Sequence, residues 1–402
     1  MIVPLLLLIL AILSAGVAAY GTNATWAQYP HGIELILWSR RLEWPLVTVC
    51  LILCLAVIAL VIAGKRRAWW LIGLGPVLAL FVHRFVTDPA GPMAIVENPS
   101  FASADASAVA DDDYVVGLRF GDLAYAYPYW VLYSNPVVFQ SDHEKRMILI
   151  WSAFANRAMA QTINRSLKPR DLEVVSMPAN ALLLYDHSDG QFINGVTGLA
   201  MDGQKPAGFS APIVVSTMTW RQWREINPQT KVMLPVGTPR VVNPPHGPIQ
   251  PSYPMPPAIL DYPLDTRIVL VGTSQPAALP ADEVGRDPQY MSVDGETAFV
   301  FREAPGKPLR AFSCHLRKPE LFTRFQLDRE HKYPGATFID TDTGSGWSAG
   351  GAWVDGMKEY RKEFRGTRLT AVAVQDGLYW GVMKFWYPQL KLTRARNVTS
   401  ES

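Results

Sequence analysis

The sequence predicts an α+β protein: N-terminal transmembrane helices followed by a β-rich, two-lobed, internally repeated extracytoplasmic domain. Three observations predict this. Three long apolar runs fill most of residues 2–85. Beyond them the runs are short and alternating, and most of the chain's 32 Pro and 29 Gly fall there, the pattern of short strands and many turns. The second half of that region echoes the first. The expected organisation is a membrane anchor (1–87) with spans at 2–20, 45–64 and 68–85, a first β-rich lobe (88–234), a Pro-rich strap (235–263) and a second β-rich lobe (264–402).

Pro45–Gly64 holds twenty residues without a charge, enough to cross a hydrocarbon core of ~30 Å at ~1.5 Å per residue. Lys65, Arg66 and Arg67 follow, and then Ala68–Val82 is apolar again up to His83 and Arg84. Basic turns between spans stay in the cytoplasm. The expected location is therefore a bacterial inner (cytoplasmic) membrane, multi-pass, with the C-terminal domain on the periplasmic side and the lipid bilayer as one partner. Residues 2–20 allow two readings, a retained span or a signal peptide cleaved near Val17-Ala18-Ala19. The lack of Lys or Arg at the start favours the retained span. Both readings put the C-terminal domain on the same side.

Gly21–Trp44 mixes Ile33, Leu35, Ile36, Leu37 and Trp38 with Glu34, Arg40, Arg41 and Glu43. It reads either as a helix lying at the membrane surface or as a loop packed on the outer domain. Arg40 and Arg41 there conflict mildly with the positive-inside rule. No span carries Asp, Glu or Lys at its middle, so the spans are expected to anchor or dock rather than conduct. Gly73 and Gly75 would allow close helix contact. Trp38, Trp44, Trp69 and Trp70 are the candidate partner-facing residues.

Asp111-Asp112-Asp113 opens the run YVVGLRFGDLAYAYP, which alternates and contains a Gly-Asp turn, so a β-hairpin is expected, with the aspartates in a solvated turn. A short helix is expected to start near Pro128. Arg146–Trp151 and Leu182–Tyr185 read as buried strands, and Asp142-His143-Glu144-Lys145 as a charged turn. Thr219–Ile226 has a Thr cap, and Trp220, Trp223 and Ile226 fall on one helical face. Residues 235–263 are rich in proline and read as a semi-rigid strap between two halves.

The formal net charge is only +2, which implies no nucleic-acid partner. Of three cysteines, Cys50 and Cys54 lie in a span and Cys314 stands alone, so no disulfide or paired-Cys metal site is expected in the outer domain. Packing must hold it, and the chain as a whole has 13 Trp, 15 Tyr and 16 Phe, most of them beyond residue 87, to supply the area. The halves echo each other in order. Val115-Val116-Gly117 matches Val269-Leu270-Val271-Gly272, and Tyr185-Asp186 with Gly190 matches Ile339-Asp340 with Gly344. Trp220 before Pro228-Gln229 matches Trp380 before Pro388-Gln389.

These residues are familiar in combination. The run Ile95–Pro128, the Asp-x-x-x-Gly turns at Asp186 and Asp340, the Gly344-Ser345-Gly346-Trp347 run and the Trp…Pro-Gln closures resemble the domain-of-unknown-function family 3179 over roughly residues 93–392. The resemblance implies a fold and no chemistry. Members typically carry Trp-His-Glu-Ile-Val-Asn-Asp where this chain has Ser134–Gln140. There Asn135 replaces the His, and Phe139-Gln140 replace the Asn-Asp pair. A Cys-Pro-Leu-Cys segment is replaced by Ser152-Ala153-Phe154-Ala155. The resemblance thus implies that any reactive site of the family is lost here.

Two weaker chemical candidates stand beside it. Cys314-His315 are adjacent on an expected strand and so point to opposite faces. Asp340 and Asp342, with Ser345, could offer oxygen ligands to Ca²⁺ but lack the full set of an EF-hand loop. No catalytic residue and no cofactor are expected. The leading functional expectation is a non-catalytic accessory or scaffold subunit docked to other integral membrane subunits, with a respiratory or photosynthetic electron-transfer complex as one host. The alternative is an extracytoplasmic enzyme or a ligand- or metal-binding protein using a cleft between the lobes.

Overall fold

The computed structural model describes residues 2–64, 68–88, 93–142, 145–237, 241–257, 261–317 and 320–393. The basic turn Lys65–Arg67 and the His143-Glu144 part of the charged turn lie outside the described residues. The chain begins with helices α1 (Ile2–Tyr20), α2 (Gly32–Arg41), α3 (Glu43–Ile62) and α4 (Leu74–Thr87), the last continuing from a 3₁₀ segment over Ala68–Gly73. Ile2–Tyr20, Glu43–Ile62 and Ala68–Thr87 are each long and apolar enough to cross a membrane. The second begins earlier than the apolar run because Glu43 joins its first turn, where a carboxylate is favoured. It stops at Ile62, and Gly64 follows with φ +68°, a left-handed exit that glycine takes at no cost.

Small residues bring these helices together. Ala11 and Ala15 of α1 pack against Cys50 of α3 and Val77 of α4. A Cβ on Gly73 would lie 2.5 Å from Leu8 Cδ1, so glycine lets the Leu8 side chain pack directly on the backbone there. Gly75 faces open space and plays no such part.

The rest of the chain is β-rich and mixed with short helices, α5 (Tyr129–Leu132), α6 (Trp220–Ile226), α7 (Arg361–Phe364) and α8 (Trp380–Trp386). Its central sheet has eight strands. In order across the sheet they are Ala277–Pro280, Arg267–Val271, Val374–Tyr379, Val215–Thr219, Tyr114–Phe120, Leu123–Pro128, Lys231–Met233 and Phe101–Ser103. The predicted hairpin is its core, turning at Gly121 with φ +61°. Strands from before and after the proline-rich segment share this one sheet.

Period-two alternation decides what covers each face. Val116 and Leu118 point to a meander of Val137–Asp142, Lys145–Ser152 and Arg157–Ile163, which supplies Val138, Met147, Leu149 and Trp151. Val115 points the other way, to α6 (Trp220–Ile226). The Trp223 ring presses so close to Gly117 that a Cβ there would sit 2.3 Å from it. On Arg267–Val271, Ile268 and Leu270 meet α8 (Trp380–Trp386). Val269 and Val271 meet a second meander of Gln289–Val293, Glu296–Arg302 and Leu309–Ser313. Trp151, Trp220, Trp347 and Trp380 are all fully buried. The expected Thr219 cap is present as a capping box, Thr219 Oγ1 accepting from Gln222 N and Gln222 Oε1 accepting from Thr219 N.

The two sets of strands join at one parallel pair, Val215–Thr219 beside Val374–Tyr379, with Thr217 opposite Gln375. Side chains reinforce this short seam. Thr217 Oγ1 donates to the Asp376 carbonyl at 3.0 Å and accepts from Asp376 N at 2.9 Å. The Gln375 amide takes both backbone groups of Ala158, at 3.0 and 2.6 Å.

The proline-rich segment carries no strand among the described residues, so its backbone groups need outside partners. Two buried asparagines in the left-handed region supply them. Asn156 (φ 51°) donates to Ile249 O at 2.7 Å and accepts from Ile249 N at 3.1 Å. Asn180 (φ 68°) accepts from Ser252 N and Tyr253 N at 2.9 and 2.8 Å and donates to Tyr253 O at 2.9 Å. Asn180→Ala strands these groups and replaces a residue suited to the left-handed region by one that is not. We expect a loss of about 2–4 kcal/mol. Thermal melting and limited proteolysis of the detergent-solubilised protein check this, with new cleavage expected between residues 241 and 257.

Candidate functional site

Helix α2 couples the apolar helices to the β-rich region. One side follows α1, where Ser39 Oγ donates to Val17 O. The other lies on the strands Leu172–Ser176, Leu183–Asp186 and Gln191–Asn194. Leu37 packs there against Val175, Leu183 and Phe192. Arg41 donates to Gly190 O at 3.2 Å, with its guanidinium 5.8 Å from the Phe192 ring centre. The helical and domain-packed readings of Gly21–Trp44 thus combine: Ile36 and Leu37 are covered by protein, whereas Leu35 and Trp38 stay exposed.

At the α2–α3 corner lies a buried charge cluster. The Arg40 side chain is 3% exposed and reaches Glu43 at 2.6 Å and Glu173 at 3.0 Å. Arg84 of α4 contacts the other Glu43 oxygen and lies 3.6 Å from Asp88. Glu173 also meets His187 at 2.9 Å. Three helices and one strand thus converge on four charges. Arg40 and Arg41 are both spent on contacts to the β-rich region, which accounts for their place beside a span.

The four tryptophans divide. Trp38, Trp44 and Trp69 are exposed, whereas Trp70 is buried against Leu8 and Val57 with its ring stacked on Trp69 at 4.1 Å. Of the other candidate residues, Cys314, Asp340 and Ser345 are buried. Cys314 is fully buried in an aromatic cluster with Phe299 and Phe312, and burial pushes its thiol up to about 12. His315 is partly exposed, as expected for its neighbour on a strand. Asp340 is also fully buried. Its carboxylate accepts from Thr343 N at 2.6 Å, Thr343 Oγ1 at 2.5 Å and Trp347 Nε1 at 3.1 Å, which uses its acceptor capacity internally. Ser345 is buried beside it, and Asp342 is exposed. No cluster of three or more His, Cys, Asp or Glu that could hold a metal ion exists among the described residues. Asp111 and Asp112 pair with Arg224 and Arg221 of α6, and Asp113 with His246 at 2.9 Å.

The three departures noted from the sequence also sit in structural roles. Asn135 is buried and donates to Val131 O at 3.0 Å. Gln140 is buried and accepts from the Tyr127 hydroxyl. Ser152 Oγ accepts from Leu182 N at 3.0 Å, while Phe154 packs edge-on to Tyr253 of the proline-rich segment. Each of these side chains thus has a hydrogen-bond or packing partner within the domain.

A separate cleft of about 700 Å³ opens between α6 with its strands and the second meander, with Arg119, Arg310 and Arg368 among its lining residues. Sequence reasoning missed it, because its walls come from residues 117–119, 214–227, 309–312 and 350–374. It missed the charge cluster for the same reason. Only the Arg40/Glu43 spacing, three apart after a helical pattern, hints at it.

The molecule is a β-rich domain joined through a buried charge cluster to three apolar helices. Residues 93–389 match the family described as a protein of unknown function, DUF3179, and the chain belongs to it. No curated protein and no solved structure matches the chain.

Two expectations follow. Glu43→Gln leaves Arg40 and Arg84 facing each other without their shared carboxylate. It should cost roughly 3 kcal/mol, read as a lower melting temperature in detergent. The second concerns alkali. Burial raises Cys314, and also Tyr114 and Tyr290 to about 12, from the ordinary 9.0 and 10.0. The fold favours their neutral forms, so this stability is complete below pH ~9 and is lost as pH rises towards 12. A spectrophotometric titration should show these tyrosines ionising only in step with unfolding. The Cys314 thiol should resist maleimide in the native protein and react once it is denatured.

Proposed function

We propose that this chain is a non-catalytic, membrane-anchored accessory or scaffold subunit of a larger membrane protein complex. In this reading its β-rich domain stands on the extracytoplasmic side of a bacterial inner membrane. The observation that carries it is the junction. A tether needs only a flexible linker, whereas here α2 is packed along the domain and Arg40 is buried between carboxylates from both parts. Such coupling fixes the orientation of the domain relative to the helices, which is what a subunit that positions other chains requires.

Further support comes from the helix surfaces. Leu5, Leu6, Leu13, Leu51, Ile52, Leu78 and Phe85 are exposed, and lipid or a neighbouring subunit would cover them. Trp38, Trp44 and Trp69 lie exposed on the same anchor and suit contact with another chain. We also read the domain as an internal repeat of two lobes. In each half a central-sheet hairpin leads to a meander, then to a turn closed on an aspartate (Asp186 or Asp340), then to a strand and a Trp-bearing helix.

Gentle extraction from native membranes, native-gel sizing and mass spectrometry of co-migrating chains test this reading. We expect stoichiometric integral membrane partners that survive salt washing. A lone 44.6 kDa chain would contradict it.

A further inference from the structure

The cleft has a composition that structure alone does not explain. One side is the face of the central sheet beside α6, and the other is the Leu309–Ser313 strand with the segment that leads to Leu369 and Val372. Its walls are mostly apolar, with Met218, Trp223, Phe312 and Leu369 among them. The Trp223 Nε1–H is already satisfied by Thr230 Oγ1 at 3.0 Å, so that side chain offers its ring and no polar group.

Against this apolar surface stand three guanidinium groups. Elsewhere in the domain, Arg221, Arg224, Arg302 and Arg361 each reach a carboxylate. Arg310 and Arg368 form no salt bridge among the described residues, and Arg119 makes only long contacts, 3.4 Å each, to Asn227 Oδ1 and the Asp122 carbonyl. Burial pulls the Arg310 guanidinium below its usual value, offset in part by the more distant Glu225 and Glu303. A Cβ on Gly350 would lie 3.4 Å from Arg310 Nη1 and 3.7 Å from Ser348 Oγ, so the guanidinium rests over a bare stretch of backbone beside one hydroxyl. A partly desolvated Arg310 with no carboxylate in salt-bridge contact, flanked by the exposed Arg119 and Arg368 on a mostly apolar wall, favours an anion. The volume, about 700 Å³, lies within the range of small-molecule sites.

We propose that this cleft binds a small anionic amphiphile, its carboxylate or phosphate head held by Arg310 with Arg119 and Arg368, and its apolar body lying along Trp223, Met218 and Phe312. This stands independently of the subunit reading. Two sources share that chemistry, a lipid-derived chain and a compact soluble acid. Equilibrium dialysis of the full chain in phosphatidylcholine nanodiscs, with empty nanodiscs subtracted, separates them when dodecanoate and 1-naphthoate are the probes. We expect saturable binding of at least one probe at one per chain. Preference for dodecanoate would indicate the lipid source, and preference for 1-naphthoate the soluble one. Arg310→Gln should weaken binding by about tenfold or more. Arg368→Gln, at an exposed position, should weaken it with an unchanged melting temperature, which keeps the test decisive should the Arg310 variant fold poorly. The proposal is overturned if neither probe saturates, if dodecanol competes as well as dodecanoate, if inorganic phosphate alone competes, or if Arg368→Gln and a folded Arg310→Gln both bind like the parent.

Discussion

A guanidinium is costly to bury without partners, and the Arg40 side chain is buried among carboxylates. That constraint organises the lower part of the molecule. Arg40 needs Glu43 from the start of α3 and Glu173 from a strand 133 residues further along the chain, and Glu43 in turn needs Arg84 from α4. Removing any member leaves an uncompensated charge whose cost exceeds that of an ordinary surface ion pair severalfold. The apolar helices and the domain are therefore tied by an interaction that tolerates little relative movement. The apolar contact of Leu37 and the Arg41–Phe192 contact extend the same interface along α2.

Inside the domain, a second dependence runs through the short parallel seam. One register pair, Thr217 opposite Gln375, joins strands from either side of the proline-rich segment, and side-chain hydrogen bonds to Asp376 and Ala158 lengthen its reach. The proline-rich segment then crosses from one side to the other, held by Asn156 and Asn180. Asparagine tolerates the left-handed conformation and can donate and accept at once, which lets one side chain replace a missing strand neighbour. These polar groups are placed where the backbone would otherwise be unpaired, and the aromatic clusters supply the bulk of the burial around them.

Much of this was legible in the sequence because it is local. The hairpin from Tyr114 to Pro128, the capped helix at Thr219 and the apolar helices follow from period and punctuation within a dozen or so residues. The Asp340 turn was legible as a turn, but its carboxylate is occupied by Thr343 and Trp347 and is not presented to solvent. What could not be read is what depends on distant partners. Nothing near Arg40 announces Glu173, and no local pattern brings Arg119, Arg310 and Arg368 to one cleft. Gly75 looked equivalent to Gly73 in sequence, yet only Gly73 meets Leu8, because residues two apart point to different sides of a helix.

Together these features describe a domain carried in a fixed pose by its anchor, with a basic, apolar-walled cleft that is separate from that anchor. The fixed pose is the central claim. It is tested most directly by electron-paramagnetic distance measurement in nanodiscs, with spin labels replacing the exposed Ile62 on the helices and Asp122 on the domain hairpin. A single narrow distance distribution is the result predicted by a buried, multi-point junction. A broad distribution, like that of a domain on a flexible tether, would contradict it.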